Sequence, residues 1–165
     1  MPPRPAPDFA AILRVLTRHR VDFIVVGGVA AVLHGAPLST FDLDVVHSRG
    51  AENIHRLLAA LRAMDAHYRI QPEKKLTPGV SHLASAGHQL LLTRFGPLDV
   101  LGSIGTGQQY EDLLPTTDEF PIAPGLRVRV LGLEKLIEVK TVTAGEKDRI
   151  ALIMLRRTLE EKTRR

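Results

Sequence analysis

Three aspartates that stand among apolar neighbours are the residues best suited to chemistry in this chain. Asp42 and Asp44 are two positions apart in the alternating segment Phe41–Val46. On a strand their side chains project to the same side, where two carboxylates raise each other's pKa unless a cation lies between them. Asp99 lies in a later apolar segment, an unfavourable place for a charge without a partner. If the two segments are neighbouring strands, three carboxylates converge on a magnesium site. A solvated edge strand with alternating charge is the alternative for the first pair.

A glycine pair, Gly27 and Gly28, follows the short apolar run Val21–Val26 and precedes a short helical stretch. Because glycine has no Cβ, backbone N–H groups there can approach phosphate oxygens closely. Taken alone, such a pair is typical of an ordinary turn. Together with carboxylates that hold one or two magnesium ions, it indicates phosphoryl or nucleotidyl transfer.

Composition and charge exclude several other classes. The chain has 165 residues, of which 44% are apolar and none is cysteine; this excludes a disulfide scaffold, a thiolate zinc site and a disordered chain. The net charge of +4 belongs to residues 147–165, with seven basic and three acidic side chains, while the rest carries 15 of each sign. With two Tyr and no Trp, a base-stacking surface is poorly supported. Neither a signal peptide nor a membrane-spanning run is evident, so we expect a cytoplasmic protein without a membrane partner.

Hydrophobic periodicity predicts both helices and strands, with two helices at the C-terminal end of the chain. Residues 1–7 are predicted to be a disordered tail and residues 8–165 a single domain. The predicted helices cover residues 8–20, 29–33, 51–66, 133–143 and 146–162. The predicted strands cover 21–26, 41–46, 89–95, 98–101 and 126–131, with a tight turn at Gly96-Pro97. Residues 71–87 are predicted to be a loop or weak hairpin, and residues 102–124 to be mostly irregular.

This arrangement resembles the DNA polymerase β-like nucleotidyltransferase superfamily, whose signature is Gly-Gly, a short helix, an Asp-x-Asp strand and a later carboxylate strand. More narrowly, it resembles the small bacterial nucleotidyltransferases related to the AbiEii toxin component. The resemblance spans about residues 8–159. The matching residues are Gly27-Gly28, His34-Gly35, Thr40 with Asp42 and Asp44, Asp99, Leu133 to Lys140, and Lys147-Asp148.

The resemblance implies the polymerase β-like fold, an α+β fold with a mixed β-sheet flanked by helices and with C-terminal helices. It also implies an enzyme that transfers a nucleoside monophosphate from ATP or another nucleoside triphosphate to an acceptor hydroxyl. The implied catalytic and metal-binding residues are Asp42, Asp44 and Asp99, which would hold two Mg²⁺ ions or, alternatively, Mn²⁺. The implied nucleotide-binding residues are Gly27, Gly28, Thr40, Lys140 and Lys147. A place near the C-terminal end of a helix dipole is a sufficient structural reason for Lys140. The implied acceptor is an RNA 3′ end, particularly of tRNA, or a partner protein, in a toxin–antitoxin pair.

Two segments depart from the family pattern, one before Thr40 and one around Lys147-Asp148, and leave other functions open. Leu38-Ser39 replace a basic residue that often precedes the threonine, Gly145-Glu146 replace an arginine before Lys147-Asp148, and Ala151 replaces a later acidic residue. One alternative is therefore a catalytically degenerate protein of this fold that works as a binding module, such as an antitoxin. Another is a small-molecule nucleotidyltransferase of the antibiotic-modifying type, although so short a chain has no obvious extra substrate domain.

Overall fold

The computed structural model of the chain describes residues 5–142 and 145–164, except for the side chains of residues 146 and 147. Its strands are β1 (Phe23–Val26), β2 (Leu43–His47), β3 (His67–Tyr68), β4 (His88–Thr93), β5 (Gly96–Leu101), β6 (Thr117–Ala123) and β7 (Leu126–Leu131). They form one mixed sheet in the order β3-β4-β5-β2-β1-β7-β6. The predicted fold class, a mixed sheet with flanking helices, is confirmed.

A row of four valines crosses the centre of the sheet. Val25 pairs with Val130 on the parallel strand β7 and with Val45 on the antiparallel strand β2, and Val45 pairs with Val100 on the parallel strand β5. All four side chains are fully buried. Because a slip of one residue would turn the apolar set of a strand towards the opposite face, this row fixes the register of the four central strands.

Helices cover both faces of the sheet. They are α1 (Phe9–Arg18), α2 (Gly27–Leu33), α3 (Ala51–Ala63), α4 (Val80–Ala84), α5 (Tyr110–Leu113), α6 (Leu133–Val142) and α7 (Glu146–Thr163), with short 3₁₀ turns at Pro72–Lys74 and Leu114–Thr116. Helix α2 packs against β1, β2 and α6, and α6 packs against α7. On the opposite face, α1 packs against α3 and α3 against α4. Within the described ranges, none of the helices is long and apolar enough to cross a membrane.

His34 anchors the C-terminal end of α2 to neighbouring strands and to α7. Its Nε2–H donates to the carbonyl oxygen of Leu131 at 2.9 Å, and its Nδ1 accepts from the Nζ of Lys162 at 2.6 Å. The imidazole is buried and packs edge-on against the ring of Phe120. The end of α2 is therefore joined to β7, β6 and α7 at one point.

Two segments that were predicted to be loops contain regular structure. Residues 71–87 include α4, and residues 102–124 include α5 and the whole of β6. The strand β6 carries Asp118, Glu119 and Pro121, which are untypical of a central strand, but it lies at the edge of the sheet, where proline and charge are tolerated. Helices α4 and α5 have five and four residues, too few to show a helical period.

The predicted helix and strand boundaries differ from the structure by a few residues in most elements. Asp8 caps α1 as expected, since its carboxylate accepts a hydrogen bond from the backbone N–H of Ala11 at 3.0 Å. The tight turn that was predicted at Gly96-Pro97 lies two residues earlier, at Arg94 and Phe95: Thr93 pairs with Gly96, and both Gly96 and Pro97 belong to β5. The Gly-Pro pair does not mark the turn, because proline is tolerated near the start of a hairpin strand.

His47 connects β2 to α4 and gives the fold a predicted pH dependence. Its Nε2–H donates to the carbonyl oxygen of Leu83 at 2.7 Å, while its buried Nδ1 has no hydrogen-bond partner among the described residues. Burial, together with the charge of Arg49, holds the pKa of this imidazole below its ordinary value of 6.5. The neutral ring therefore contributes stability that is fully present above pH 6.5 and is lost as the pH falls through the lower folded-state pKa.

We expect site-resolved NMR titration to show the His47 ring gaining its proton only below its ordinary pKa of 6.5, and this protonation to accompany a fall in the free energy of unfolding. A His47 ring that gains its proton at or above pH 6.5 would contradict this account.

Candidate active site

Three carboxylates meet on the face of the sheet that α2 covers. Asp44 on β2 and Asp99 on β5 are direct Cα partners in a parallel strand pair. Asp42 lies just before β2, and one carboxylate oxygen of each of the three aspartates lies within 4.8 Å of the other two. The structure thus brings together the three aspartates that the sequence singled out.

Asp42 reaches this cluster from a bend and not from a strand. The prediction of a strand over Phe41–Val46 is wrong at its start, because β2 begins at Leu43. The hydroxyl of Thr40 donates to the carbonyl oxygen of Asp42 at 2.9 Å. Such local bonds from threonine compete with strand pairing. Thr40, which the resemblance assigned to nucleotide binding, therefore shapes the bend that carries Asp42.

Gly27 and Gly28 form the first turn of α2, and the prediction that the helix begins after them is wrong. Gly27 has φ +67°, and a Cβ at this position would collide with the Asp44 carboxylate. At Gly28 a Cβ would lie 3.3 Å from the side chain of Thr40. Because the N–H groups in the first turn of a helix have no partner within it, the glycine pair places backbone donors directly beside Asp44.

Asp44 is the electrostatically strained member of the cluster. Burial, followed by the neighbouring charge of Asp42, raises the pKa of Asp44 to about 7, against the opposing charges of Lys140, Arg69 and His88. Its Oδ1 atom is buried and has no hydrogen-bond partner among the residues the structure describes. A buried carboxylate oxygen without a donor requires either a proton or a cation.

Arg69 is a member of this site that the sequence did not reveal. Its guanidinium contacts Oδ1 of Asp99 and lies 3.7 Å from Oδ2 of Asp42. Arg69 follows β3 in a polar stretch without a recognisable motif, so no pattern marks it. The charge balance of three converging carboxylates calls for a cation nearby, but only the pairing of β3 with β4 shows which residue supplies it.

Of the two lysines that the resemblance assigns to nucleotide binding, Lys140 has a described side chain. Lys140, in the last turn of α6, lines a cavity beside Asp44 and forms an ion pair with Asp148 of α7, with 3.3 Å between Nζ and Oδ1. It thereby connects the two C-terminal helices as well as facing the cluster. The side chain of Lys147 lies outside the described residues.

The cavity has a volume of about 150 Å³ and extends from the carboxylates under the C-terminal helices. Its walls are mainly apolar: Leu38, Leu101 and Ile104 from the body, and Leu136, Val139 and Leu155 from α6 and α7. Among the described residues, Asp44 and Lys140 are the charged ones on its lining. A ligand held by the cluster therefore has an apolar space next to it.

The donor set of the cluster fits a hard divalent cation. Three carboxylates supply oxygen ligands, which Mg²⁺ and Mn²⁺ prefer, and leave positions for water or phosphate oxygens. The Asp44 oxygen that finds no hydrogen-bond donor in the described part of the chain, and the raised pKa of Asp44, are the features that a bound cation would relieve.

Comparison with known proteins assigns the architecture. A candidate nucleotidyltransferase from Thermotoga maritima matches with a TM-score of 0.54 and 15% identity, over 94% of this chain and 90% of that chain. The lincosamide antibiotic adenylyltransferase LnuA, solved with lincomycin bound, matches with a TM-score of 0.59 and 12% identity, over 90% of this chain and 94% of that chain. The chain has the nucleotidyltransferase fold. No family model and no curated protein matches its sequence.

The contact between Gly27 and Asp44 can be tested by substituting the glycine. We expect Gly27→Ala to lower the free energy of unfolding by about 2 kcal/mol or more, because the added Cβ meets both an unfavourable φ and the carboxylate. Gly125→Ala is the matched control: Gly125 has φ +73° with no atom within 4 Å of the added Cβ. It should cost about 1 kcal/mol. Equal losses in chemical denaturation would show that the contact with Asp44 contributes nothing.

The Asp44→Asn variant tests whether the Asp44 carboxylate is needed for stability or for metal binding. In EDTA at pH 8, above the raised pKa of Asp44, we expect the variant to be at least as thermostable as the unmodified protein, since it removes a buried charge. Magnesium should raise the melting temperature of the unmodified protein and leave that of the variant unchanged. A large loss of stability in EDTA would mean that the ionised carboxylate is a structural group.

Proposed function

We propose that the chain is a divalent-metal-dependent nucleotidyltransferase. The observation that carries the proposal is the cluster of Asp42, Asp44 and Asp99, formed around a β2–β5 pair whose register sets Asp44 against Asp99, with the first turn of a helix pressed onto it. The fold shared with two nucleotidyltransferase structures supports the same class of reaction.

The reaction forms a bond between the acceptor oxygen and the α-phosphorus of a nucleoside triphosphate and breaks the bond between that phosphorus and the bridging oxygen of pyrophosphate. Divalent cations held by the three aspartates would neutralise the phosphates and acidify the acceptor hydroxyl. Asp99 takes up the proton of that hydroxyl. The backbone N–H groups of Gly27 and Gly28 bind phosphate oxygens, and Lys140 contributes positive charge from α6.

For the acceptor, the resemblance to AbiEii-type proteins supports an RNA 3′ end, above all that of tRNA, or a partner protein in a toxin–antitoxin pair. A second candidate is a small hydroxylated molecule. LnuA adenylylates an antibiotic, and its chain matches this one over 94% of its length, so a small acceptor does not demand an additional domain.

Exposed apolar side chains beside the cluster favour that second candidate. Phe41 and Ile70, each adjacent in sequence to a residue of the site, are 81% and 77% exposed, and Leu90, the strand partner of Asp99, is 44% exposed. Each is tied to a residue of the site by sequence or by strand pairing, so an acceptor with a ring or alkyl portion would meet apolar side chains near the cluster.

The decisive experiment incubates the protein with Mg²⁺, each α-labelled nucleoside triphosphate in turn, and separately tRNA, protein extract or a panel of hydroxylated antibiotics. We expect label transfer to one acceptor class, and a fall of at least about 100-fold in the double variant Asp42→Asn, Asp44→Asn, because metal neutralisation contributes several kcal/mol. Asp65→Asn removes an exposed carboxylate outside the cluster and should retain full activity.

Two outcomes would overturn the proposal. Transfer that persists in the double variant would place the chemistry elsewhere. A folded protein that binds neither Mg²⁺ nor nucleotide in calorimetry would be the catalytically degenerate binding module that the departures at Leu38-Ser39 and Gly145-Glu146 left open.

A further inference from the structure

Arg69 occupies the carboxylate oxygens that a metal ion requires. Its guanidinium bridges Asp99 and Asp42, and the Asp99 side chain that it covers is only 13% exposed. The main chain at Arg69 is held by a hydrogen bond from its N–H to the carbonyl oxygen of Leu90 at 3.1 Å, which continues the β3–β4 pairing. The backbone is thus fixed at the edge of the site, while the long side chain reaches into it.

An arginine cannot leave these carboxylates by losing its proton, because a guanidinium stays protonated in proteins. A divalent cation and the guanidinium therefore compete for the same two aspartates, and one must move when the other binds. The competition is substantial, because the ion pair with Asp99 is shielded from solvent and hydrogen bonds to charged groups are stronger than neutral ones.

We propose that Arg69 is a built-in counter-ion that metal displaces, and that the displaced guanidinium then binds the phosphate oxygens of the nucleotide. This inference rests on the proposed function, since it needs metal and nucleotide at this site. The planar fork of arginine matches phosphate as well as carboxylate, so the side chain exchanges one anionic partner for another without leaving the site.

The exchange makes metal and nucleotide binding mutually dependent. A nucleotide that draws the guanidinium away from Asp99 frees the oxygens for metal, and a metal that takes those oxygens frees the guanidinium for phosphate. By linkage, each ligand must then increase the affinity for the other by the same factor. Arg69 also offsets part of the negative charge of the site when no ligand is present, since three unscreened carboxylates would repel one another.

The test measures Mn²⁺ binding by calorimetry in the absence of nucleotide, and then binding of a non-hydrolysable nucleoside triphosphate analogue at saturating Mn²⁺. For Arg69→Gln we expect changes of opposite sign. Mn²⁺ alone should bind about tenfold more tightly, because the competing ion pair is gone, and the analogue should bind about tenfold more weakly, because a charged phosphate contact is gone. Arg62→Gln, which removes an exposed arginine elsewhere, is the control and should change neither affinity.

A second variant keeps the test decisive if Arg69→Gln does not fold. Arg69→Lys retains the competing charge but loses the fork, so Mn²⁺ affinity should stay within about twofold of the unmodified protein while the affinity for the analogue falls. In EDTA both variants should melt at or below the temperature of the unmodified protein, and Mn²⁺ should raise the melting temperature of Arg69→Gln the most.

The outcomes separate this inference from the proposed function. If the unmodified protein binds Mn²⁺ and the Asp42→Asn, Asp44→Asn double variant does not, the metal site stands. If the affinity of Arg69→Gln for Mn²⁺ is then unchanged or weaker, Arg69 only holds the aspartates in position and the inference is wrong. If the unmodified protein binds no Mn²⁺, the proposed function itself fails first.

Discussion

The repulsion between carboxylates that the sheet forces together is the constraint on which the rest of the site depends. Asp44 and Asp99 are opposite each other because the buried valine row sets the register of β2 against β5, and that row cannot slip without exposing the core. Arg69 bridges two of the carboxylates, and the pKa of Asp44 rises to about 7, chiefly through burial. The core therefore stabilises a local arrangement of charge that would not persist by itself.

The sequence was sufficient for the parts of the site whose signal is local. Charged and apolar residues alternate around Asp44, and Asp99 is isolated among apolar residues. Both patterns reflect positions on buried strands. The long helices and central strands were accessible for the same reason, since they carry clear periods, and the resemblance to the nucleotidyltransferases added the mixed sheet. Asp42 was found by an argument that was wrong in detail, because the bond from Thr40 and not strand alternation directs it to the cluster.

Arg69 and β6 could not be predicted from the sequence because their roles come from long-range pairing. A two-residue strand gives no periodicity, so nothing local indicates that residue 69 reaches Asp99, thirty positions away. Similarly, the proline and acidic residues of β6 favour a loop until its position at the edge of the sheet is known. The short helices α4 and α5 fall below the length at which a helical period is visible.

Helix α2 sets the distance between the carboxylate cluster and the C-terminal helix α7. Its first residue touches Asp44, and His34 at its other end is bonded to β7 and α7, so only seven helical residues separate the carboxylate cluster from the C-terminal helix. One residue more or less would turn one end relative to the other by about 100°, and either the carboxylate contact or the histidine bonds would be lost. The length of this segment should therefore tolerate no insertion or deletion, even where individual side chains along it can change.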